Sequence, residues 1–498
     1  MTGTIIWRGI LAGAAGLLWA LALPRWHWVG TLPLAAVALL SACRGLSPRS
    51  ALFLGFLAGF CHWVFSVFWV VEVMTRYGHL AGALAFLALG VMSAVLASFW
   101  GLAAWLSRKV RHPWRGVALA LGLTVGEVVQ GLPPWNFPWN PLVTALVPWP
   151  FLLAPLPVLG ATTYGLALRV VLFGAAEAVV EPSWKPIRAV GAALGVVFLA
   201  GLASPVFRPA GGPLWVAAIQ PNVPLEVRWD AQNLGDIEGR VWRLSEQAVQ
   251  RGAQWVVWPE SAVPRWLERD ALYREALRRF SASQGVWLTL NSIGFGEEGE
   301  YFNSMYMVSP QGLVERYDKV HLVPFGEYVP DFGRLAFLRP LVREVGGFTP
   351  GREAKPLPGP AGPVGGAVCY EVAFPLHAAE QVRRGAKLLV TVTNDGWYGD
   401  SAAPYQHLAL AILRAVEQRR YLVRAANTGI SAIVDPYGVV QQQLPLDRQG
   451  LLVGQVQGSA QLTPAARLAP LLHLWPLMAC AVVILAALGR RWTTNHLS

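Results

Sequence analysis

The chain has 498 residues, of which 54% are hydrophobic and only 14% are charged, and it carries 23 tryptophans and a formal net charge of +11. This composition excludes an ordinary soluble enzyme and indicates an integral membrane protein. The apolar residues concentrate in 1–204 and 464–489, whereas 210–460 has the composition of a globular domain. Because many basic residues flank apolar segments, the positive charge indicates membrane topology and argues against nucleic acid as a partner.

The apolar regions predict membrane-spanning helices, since about 20 apolar residues in a helix cross a bilayer. Seven such segments precede the globular region and one follows it: 5–23, 28–43, 51–71, 80–106, 116–131, 151–179, 187–204 and 465–489. Ala20-Leu21-Ala22 resembles the cleavage site of a signal peptide. Further spans follow at once, so we predict that the first helix is retained. The predicted domains are 1–205, 212–457 and 464–490.

The charges between the spans predict the orientation of the chain. Arginine and lysine concentrate in alternate connections, at 44–49, 108–115 and 185–188, and again after the last span. Such basic connections stay in the cytoplasm. An odd number of spans then places 210–460 on the outer side of the membrane, which is the periplasmic side of the inner membrane of a bacterium.

Two polar features of the apolar region are each open to two interpretations. The loop 132–141 is rich in Trp, Pro and Asn and has no charge, so it fits an interfacial aromatic belt or a lipid-contacting role. Glu72, Arg76 and His79 lie at the outer end of the third span, and Glu127 lies within the fifth. Ionisable groups in membranes are often functional, but Glu72 and Arg76 are also spaced to pair on one helix.

The globular region alternates two kinds of pattern. Short apolar, β-prone runs at 215–219, 255–258, 286–290 and 388–392 predict buried strands, and 231–252, 269–284 and 404–422 have the periodicity of helices. This alternation predicts an α/β layered fold with both faces of the sheet covered.

Cys369 is the one cysteine of four that lies outside the long apolar segments, so a disulfide framework is excluded from the globular region. It follows a Gly-rich, β-prone run at 363–368. A strand that ends on a thiol presents it at the rim of a sheet, which suits a nucleophile. The alternative is a buried structural cysteine, since free cysteine is often buried.

Two further motifs lie at or near the ends of predicted strands. Glu260 follows an apolar strand in Trp258-Pro259-Glu260-Ser261, and Lys319 leads into the stretch that contains Pro324-Phe325-Gly326-Glu327. Each alone fits a solvated surface charge. Together with Cys369 they form a chemical set. A carboxylate takes the thiol proton and later returns it, whereas an ammonium lowers the thiol pKa and stabilises a tetrahedral intermediate. The backbone N–H of Tyr370 is a candidate second oxyanion donor.

The order Glu260, Lys319, Cys369 resembles the Glu-Lys-Cys triad of the nitrilase superfamily. Seven spans, a globular domain of this kind and one last span resemble a narrower group over nearly the whole chain, the apolipoprotein N-acyltransferase family. Further motifs match in order: Gln220-Pro221-Asn222-Val223-Pro224 with Trp229, Val323–Pro330, Cys369-Tyr370-Glu371, Thr393–Gly399 and Arg424–Gly429. Pro221 and Gly396 depart from the usual family wording, but neither offers a side chain that the proposed chemistry uses.

The resemblance implies a multi-span helical membrane domain joined to an α-β-β-α sandwich. It implies that Glu260, Lys319 and Cys369 are catalytic, with Glu327 in support, and that no metal or cofactor takes part. It also implies that Trp229, Tyr370, Glu371 and Trp397 bind substrate near the mouth of the site. The expected reaction moves an acyl chain from a phospholipid onto Cys369, then to the α-amine of the diacylglyceryl-cysteine of an apolipoprotein. The bilayer is therefore a further expected partner.

Residues 331–348 form an apolar segment with interspersed arginines and with glycines near both ends. This pattern fits a mobile lid that enters the membrane interface, and it equally fits an amphipathic packing helix. Two other functions are open to the chain as a whole. A membrane-tethered amidase would use the same triad with water as acceptor, although eight spans serve no purpose for a soluble amide. A non-catalytic lipid-binding scaffold is disfavoured by the intact triad.

Overall fold

The structure is a computed structural model that describes residues 2–228, 230–328 and 347–495. Two compact units divide the chain: Met1–Ser204 with Leu468–Ser498, and Pro205–Arg467. Trp229 and most of the predicted lid, residues 331–346, lie outside the described residues. The expectations for Trp229 and for the lid therefore remain predictions.

The first unit is helical. Its helices are α1 (Thr2–Leu21), α2 (Thr31–Cys43), α3 (Pro48–Ser66), α4 (Trp69–Glu72), α5 (Gly82–Lys109), α6 (Arg115–Gln130), α7 (Leu156–Val180), α8 (Lys185–Ala203) and a last helix, Ala469–Asn495. A π-helical turn at Val73–Tyr77 continues α4, and 3₁₀ turns occupy Leu142–Leu146 and Pro150–Leu153. Each of the eight predicted spans thus contains a helix.

Among the described residues, five helices are long and apolar enough to cross a membrane: Pro48–Ser66, Gly82–Lys109, Leu156–Val180, Lys185–Val206 and Ala469–Ala486. Ile5–Leu21 and Thr31–Cys43 are apolar but shorter. Helix α2 has 13 residues, or about 20 Å of helix at about 1.5 Å per residue, against about 30 Å of hydrocarbon. A multi-span membrane domain is confirmed, whereas the number of eight spans stays a prediction.

Three of the ionisable residues singled out in the sequence, Glu72, Arg76 and Glu127, have partners within this unit. Glu127 pairs with Arg169, which is buried on α7. Glu72 and Arg76 form an ion pair at 3.8 Å, the geometry expected if the two side chains simply pair on one helix. These contacts account for the charges by pairing and supply no evidence of a ligand.

The second unit contains two sheets. The first has the order β11-β1-β2-β3-β4-β5 and the second the order β10-β9-β8-β7-β6. The strands are β1 (Pro213–Gln220), β2 (Trp255–Val257), β3 (Trp287–Phe295), β4 (Tyr301–Val308), β5 (Val314–Asp318), β6 (Val364–Val368), β7 (Leu388–Thr393), β8 (Leu422–Ala426), β9 (Ser431–Val434), β10 (Val440–Leu444) and β11 (Gly450–Gln457). Strands β1 to β3 are parallel, as are β6 to β8, and antiparallel strands flank both groups.

Helices cover the outer faces of the two sheets. The helices of this unit are α9 (Leu225–Arg228), α10 (Leu234–Gln250), α11 (Ala271–Gln284), α12 (Pro375–Arg383), α13 (Ala403–Gln418) and α14 (Pro464–Arg467). The inner faces share one apolar core that includes Trp255, Met305, Val364 and Val390. A second core lies between the first sheet and α10 and α11. This layering confirms the α-β-β-α sandwich, and the strands predicted at 215–219, 255–258, 286–290 and 388–392 coincide with β1, β2, β3 and β7.

A glycine in β6 lies close to a side chain of the facing sheet. A Cβ atom on Gly366 would lie 1.8 Å from Cε of Met305 on β4. A side chain at this position would require the flexible end of Met305 to move aside, so glycine lets β6 lie against the facing sheet without that rearrangement. The strand that leads to Cys369 is thereby brought close to the strands that lead to Glu260 and Lys319.

Candidate active site

Cys369 lies immediately after β6, at the carboxyl end of three adjacent parallel strands. Its backbone has a φ of 53°, in the left-handed region that residues with side chains rarely adopt. Such a conformation costs about 1–3 kcal/mol and persists only when the surrounding structure holds it. The next strand, β7, ends at Thr393, whose side chain hydrogen-bonds to the thiol. The thiol is thus held at a strained turn beside the end of the neighbouring strand.

Lys319 follows β5 directly and is buried. Its Nζ lies 2.8 Å from Oε2 of Glu327, which also accepts a hydrogen bond from the backbone N–H of Val323 at 2.8 Å. Burial alone would lower the pKa of Lys319, but Glu327 and Glu260 outweigh it and raise the pKa above its ordinary value. Lys319 therefore keeps its charge inside the site, which suits the stabilisation of an oxyanion.

Glu260 is the third residue after the end of β2 and is buried. Its Oε2 accepts the backbone N–H of Asn394, just after β7, at 3.1 Å. Burial raises the pKa of Glu260, Lys319 opposes this, and the net pKa lies above the ordinary value. A carboxyl with a raised pKa is suited to accept and return a proton near neutral pH.

The surroundings of the thiol favour its protonated form. Burial raises the pKa of Cys369 well above its ordinary value, Glu260 adds to the rise, and Lys319 opposes it. A thiol in this state needs a base to become a nucleophile. The structure thus brings Glu260, Lys319 and Cys369 into electrostatic contact, with Glu327 bound to Lys319.

Asn303 binds both acids and is itself held by Asn291, and the sequence analysis missed both asparagines. Nδ2 of Asn303 on β4 donates to Oε1 of Glu260 at 2.9 Å and to Oε1 of Glu327 at 2.7 Å. Its own Oδ1 accepts from Nδ2 of Asn291 on β3 at 2.7 Å. The sequence does carry a signal for these residues, because each asparagine is the one side-chain amide in a mostly apolar strand. A single side-chain amide therefore fixes both carboxylates relative to each other.

Glu371, predicted to bind substrate, is fully buried among backbone donors. Its Oε1 accepts from the N–H groups of Val320 and His321 at 2.6 and 3.1 Å and from the hydroxyl of Tyr317 at 2.7 Å. Its Oε2 accepts from the N–H of Val368 at 2.8 Å. Glu371 thus links the segment after Lys319 to the residue that precedes Cys369, a geometry that favours positioning over direct contact with substrate.

The other predicted binding residues differ in exposure. Tyr370 is buried and its ring contacts Phe374 edge to face at a centroid distance of 5.4 Å. Trp397 is 42% exposed and lies in the turn after β7. Of these two, Trp397 is therefore the one with surface available to a substrate.

Asp395 and His407 lie close to the thiol of Cys369. Sγ of Cys369, a carboxylate oxygen of Asp395 and a ring nitrogen of His407 lie within 4.8 Å of one another. The ligand set has the composition of a metal site. However, Nη2 of Arg424 donates to Oδ2 of Asp395 at 2.6 Å, and both ring nitrogens of His407 contact protein atoms. A guanidinium already bound to the carboxylate disfavours a cation here.

Two family models match the chain. "Apolipoprotein N-acyltransferase N-terminal domain" matches residues 15–176, and "Carbon-nitrogen hydrolase" matches residues 215–465, which contain all the site residues described above. The apolipoprotein N-acyltransferase of Geobacter metallireducens is 34% identical over 508 residues, covering 98% of this chain and 96% of that protein. The chain belongs to the apolipoprotein N-acyltransferase family. It is a membrane-bound enzyme of the nitrilase superfamily, which confirms the resemblance inferred from the motifs.

Other proteins are also similar to this chain. The apolipoprotein N-acyltransferase of Pseudomonas putida is 34% identical over 501 residues and covers 96% of each chain. The crystal structure of the Caenorhabditis elegans NitFhit protein is 22% identical, covers 53% of this chain and 64% of that one, and has a TM-score of 0.40. The relatives named as acyltransferases match across both units of this chain.

Proposed function

We propose that this enzyme transfers an acyl chain from a membrane phospholipid, through a thioester on Cys369, to the N-terminal amine of the diacylglyceryl-cysteine of an apolipoprotein. The observation that carries the proposal is the buried set of one thiol, one ammonium and one carboxylate of raised pKa at the meeting point of two sheets. The identity of the relatives as apolipoprotein N-acyltransferases supports the acceptor, and the apolar helices support a donor drawn from the bilayer.

In the first half-reaction, Glu260 takes the proton of the Cys369 thiol and the sulfur attacks the ester carbonyl carbon of the phospholipid. Negative charge develops on the carbonyl oxygen, where Lys319 and the backbone N–H of Tyr370 stabilise it. The C–O ester bond then breaks, and Glu260 gives its proton to the departing alkoxide. The products are a thioester on Cys369 and a lysophospholipid.

In the second half-reaction, the lipoprotein amine attacks the thioester carbonyl. Glu260 accepts a proton from the attacking nitrogen, the C–S bond breaks, and the proton returns to the sulfur of Cys369. An amide is formed and the resting thiol is restored. The same two oxyanion donors serve both half-reactions because the carbonyl oxygen occupies the same position in each.

We propose supporting roles for the residues around this set. Glu327 orients Lys319 through their 2.8 Å ion pair. Glu371 positions the turn that bears Cys369, and Trp397 and Trp229 contact substrate. The catalytic domain, residues 212–457, faces the periplasm from the bacterial inner membrane, because the basic connections concentrate on the opposite side of the predicted spans.

The test is mass spectrometry of the full-length enzyme incubated with phospholipid vesicles alone. We expect an acyl mass increment on the Cys369 peptide, with Cys369→Ala as the negative control and Cys43→Ala as a matched control that keeps the increment. Addition of a diacylglyceryl lipopeptide should move the acyl group to its amine. No increment with the wild type contradicts an acyl-enzyme, and release of free fatty acid in place of the amide identifies an amidase-type hydrolase.

A further inference from the structure

The carbonyl oxygen of Cys369 accepts a hydrogen bond from a buried histidine. Nε2 of His407, on α13, lies 2.9 Å from this oxygen. A carbonyl oxygen only accepts hydrogen bonds, so Nε2 must carry the proton and donate it. His407 is fully buried. The contact therefore fixes the direction of the Cys369 carbonyl.

Fixing this carbonyl also fixes the neighbouring N–H. The carbonyl of Cys369 and the N–H of Tyr370 belong to one planar peptide unit and point in opposite directions. The N–H of Tyr370 is the second oxyanion donor in the proposed mechanism. A donor on the carbonyl side polarises the peptide and strengthens its N–H as a donor, because linked hydrogen bonds reinforce one another.

His407 is itself anchored by two charges. Its Nδ1 lies 2.9 Å from Oδ1 of Asp395 and 3.1 Å from Nη2 of Arg424. The same guanidinium nitrogen donates to Oδ2 of Asp395 at 2.6 Å. Since Nδ1 lies between an acceptor and a donor, the ring keeps a partner on that side in either protonation state. Nε2 is therefore available to donate a hydrogen bond to the carbonyl oxygen of Cys369.

The three residues come from separate elements that converge behind the thiol. Asp395 follows β7, Arg424 lies on β8, and His407 lies on the helix that packs over them. A Cβ atom at Gly429 would lie 2.5 Å from Oδ2 of Asp395, so the carboxylate is closely enclosed. Burial alone would raise the pKa of Asp395, but Arg424 and His407 outweigh it and hold the pKa below its ordinary value. The anchor thus stays charged.

We propose that Arg424, Asp395 and His407 form a relay that acts through the Cys369–Tyr370 peptide to hold and polarise the second oxyanion donor. The relay residues are positioning residues, since none touches the substrate. The proposal rests on the proposed acyl-transfer mechanism and adds a residue set that determines how well the oxyanion is stabilised. It predicts that loss of His407 impairs reactions that form an oxyanion and spares reactions of the thiol that do not.

The test compares two reactions of Cys369 in the full-length enzyme. Acylation by a p-nitrophenyl ester passes through an oxyanion, whereas alkylation by iodoacetamide displaces iodide at a saturated carbon and forms none. Both rates are followed on the Cys369 peptide by mass spectrometry. In His407→Leu, we expect the ratio of acylation to alkylation to fall about 10- to 100-fold, somewhat less than the loss of an oxyanion donor itself.

Two variants make the result specific. His407→Gln retains an amide N–H that can reach the carbonyl, and we expect it to keep most of the wild-type ratio even where His407→Leu folds poorly. His377→Leu is a matched control. His377 is also buried, and its Nε2 lies 3.1 Å from the carbonyl oxygen of Gly366 on β6, the strand that precedes Cys369. The His377→Leu substitution should change the rates of acylation and alkylation of Cys369 by the same factor.

An unchanged ratio in His407→Leu, or a ratio in His407→Gln as low as in His407→Leu, would overturn the proposal. These outcomes are separate from failure of the proposed function. If the wild type reacts with the p-nitrophenyl ester but gains no acyl group from phospholipid vesicles, the phospholipid donor is wrong, whereas the ratio still tests the relay.

Discussion

Replacement of Asn303 by alanine tests whether this amide sets the pKa of Glu260. The amide of Asn303 donates to Glu260 and Glu327 at 2.9 and 2.7 Å, and its hydrogen bond lowers the pKa of Glu260 against the effect of burial. In Asn303→Ala the carboxylate of Glu260 loses this donor and faces Glu327 directly. We expect the pKa of Glu260 to rise further, so that less of the base form is present at neutral pH.

The magnitude follows from the geometry. A hydrogen bond to a charged group contributes about 1.5–3 kcal/mol, and one pKa unit corresponds to about 1.4 kcal/mol. The two oxygens that share Asn303 lie at most about 5.6 Å apart, the sum of the two donor distances. At that separation two unit charges repel by about 3 kcal/mol with an effective dielectric constant of about 20. This repulsion is present in the wild type as well, so the change comes from the lost hydrogen bond, which corresponds to a rise of about 1 to 2 in the pKa of Glu260.

The assay is the pH dependence of Cys369 acylation by a water-soluble ester in single turnover. Since Glu260 acts as a base above its pKa, the acid limb of the profile should move to higher pH by about 1 to 2, with a loss of about 10- to 100-fold below it. Thr289→Val is the control, because Thr289 is buried in the same sheet and hydrogen-bonds to Trp255 and Met307 instead. An acid limb in Asn303→Ala that coincides with the wild type would refute the reasoning.

Four further outcomes are expected. Cys369→Ala and Cys369→Ser should both abolish acyl-enzyme formation while the protein stays folded in the membrane, because the set offers no histidine-based activator for a serine; a thioester persisting in Cys369→Ala would remove the nucleophile assignment. Glu260→Gln should cost about 10²–10⁴-fold and Lys319→Met about 10²–10³-fold in turnover, and near-native rates in either would show that the triad is misassigned. An engineered cysteine near Arg111 should resist an impermeant thiol reagent on intact cells, and its labelling without permeabilisation would contradict the predicted topology. The depressed pKa of Asp395 adds stability that is fully present above the ordinary carboxyl range and is lost progressively as the pH falls from that range towards the lower pKa of the folded state. Thermal melts of Asp395→Asn should therefore show a weaker loss of stability in acid than the wild type, and parallel losses would argue against a buried charged anchor.

Much of the fold follows from local patterns. The strands at 215–219, 255–258, 286–290 and 388–392 are short apolar runs. A strand that lies between covered faces of a sheet is apolar along most of its length, so such runs can be recognised in the sequence. Strands β4, β5, β8, β9, β10 and β11 and the helix α12 were not predicted. Most of these segments are short, and a short segment carries weak periodicity. Apolar length predicted the membrane helices, but the 13 residues of α2 show that composition does not fix how far each helix extends.

The sequence by itself determined the membrane class, the alternation of strands and helices, and the three residue types whose chemistry fits a thiol nucleophile. It could do so because hydropathy, periodicity and the position of a polar residue after an apolar strand are local properties of the chain. Only the tertiary structure decided what surrounds these residues. Asn303, Glu371 and His407 are distant in sequence from most of the groups they hold, and their roles arise where the ends of strands from two sheets meet. Hydrogen bonds and buried charges depend on separations of a few ångströms in space, and no local pattern in the chain encodes those separations.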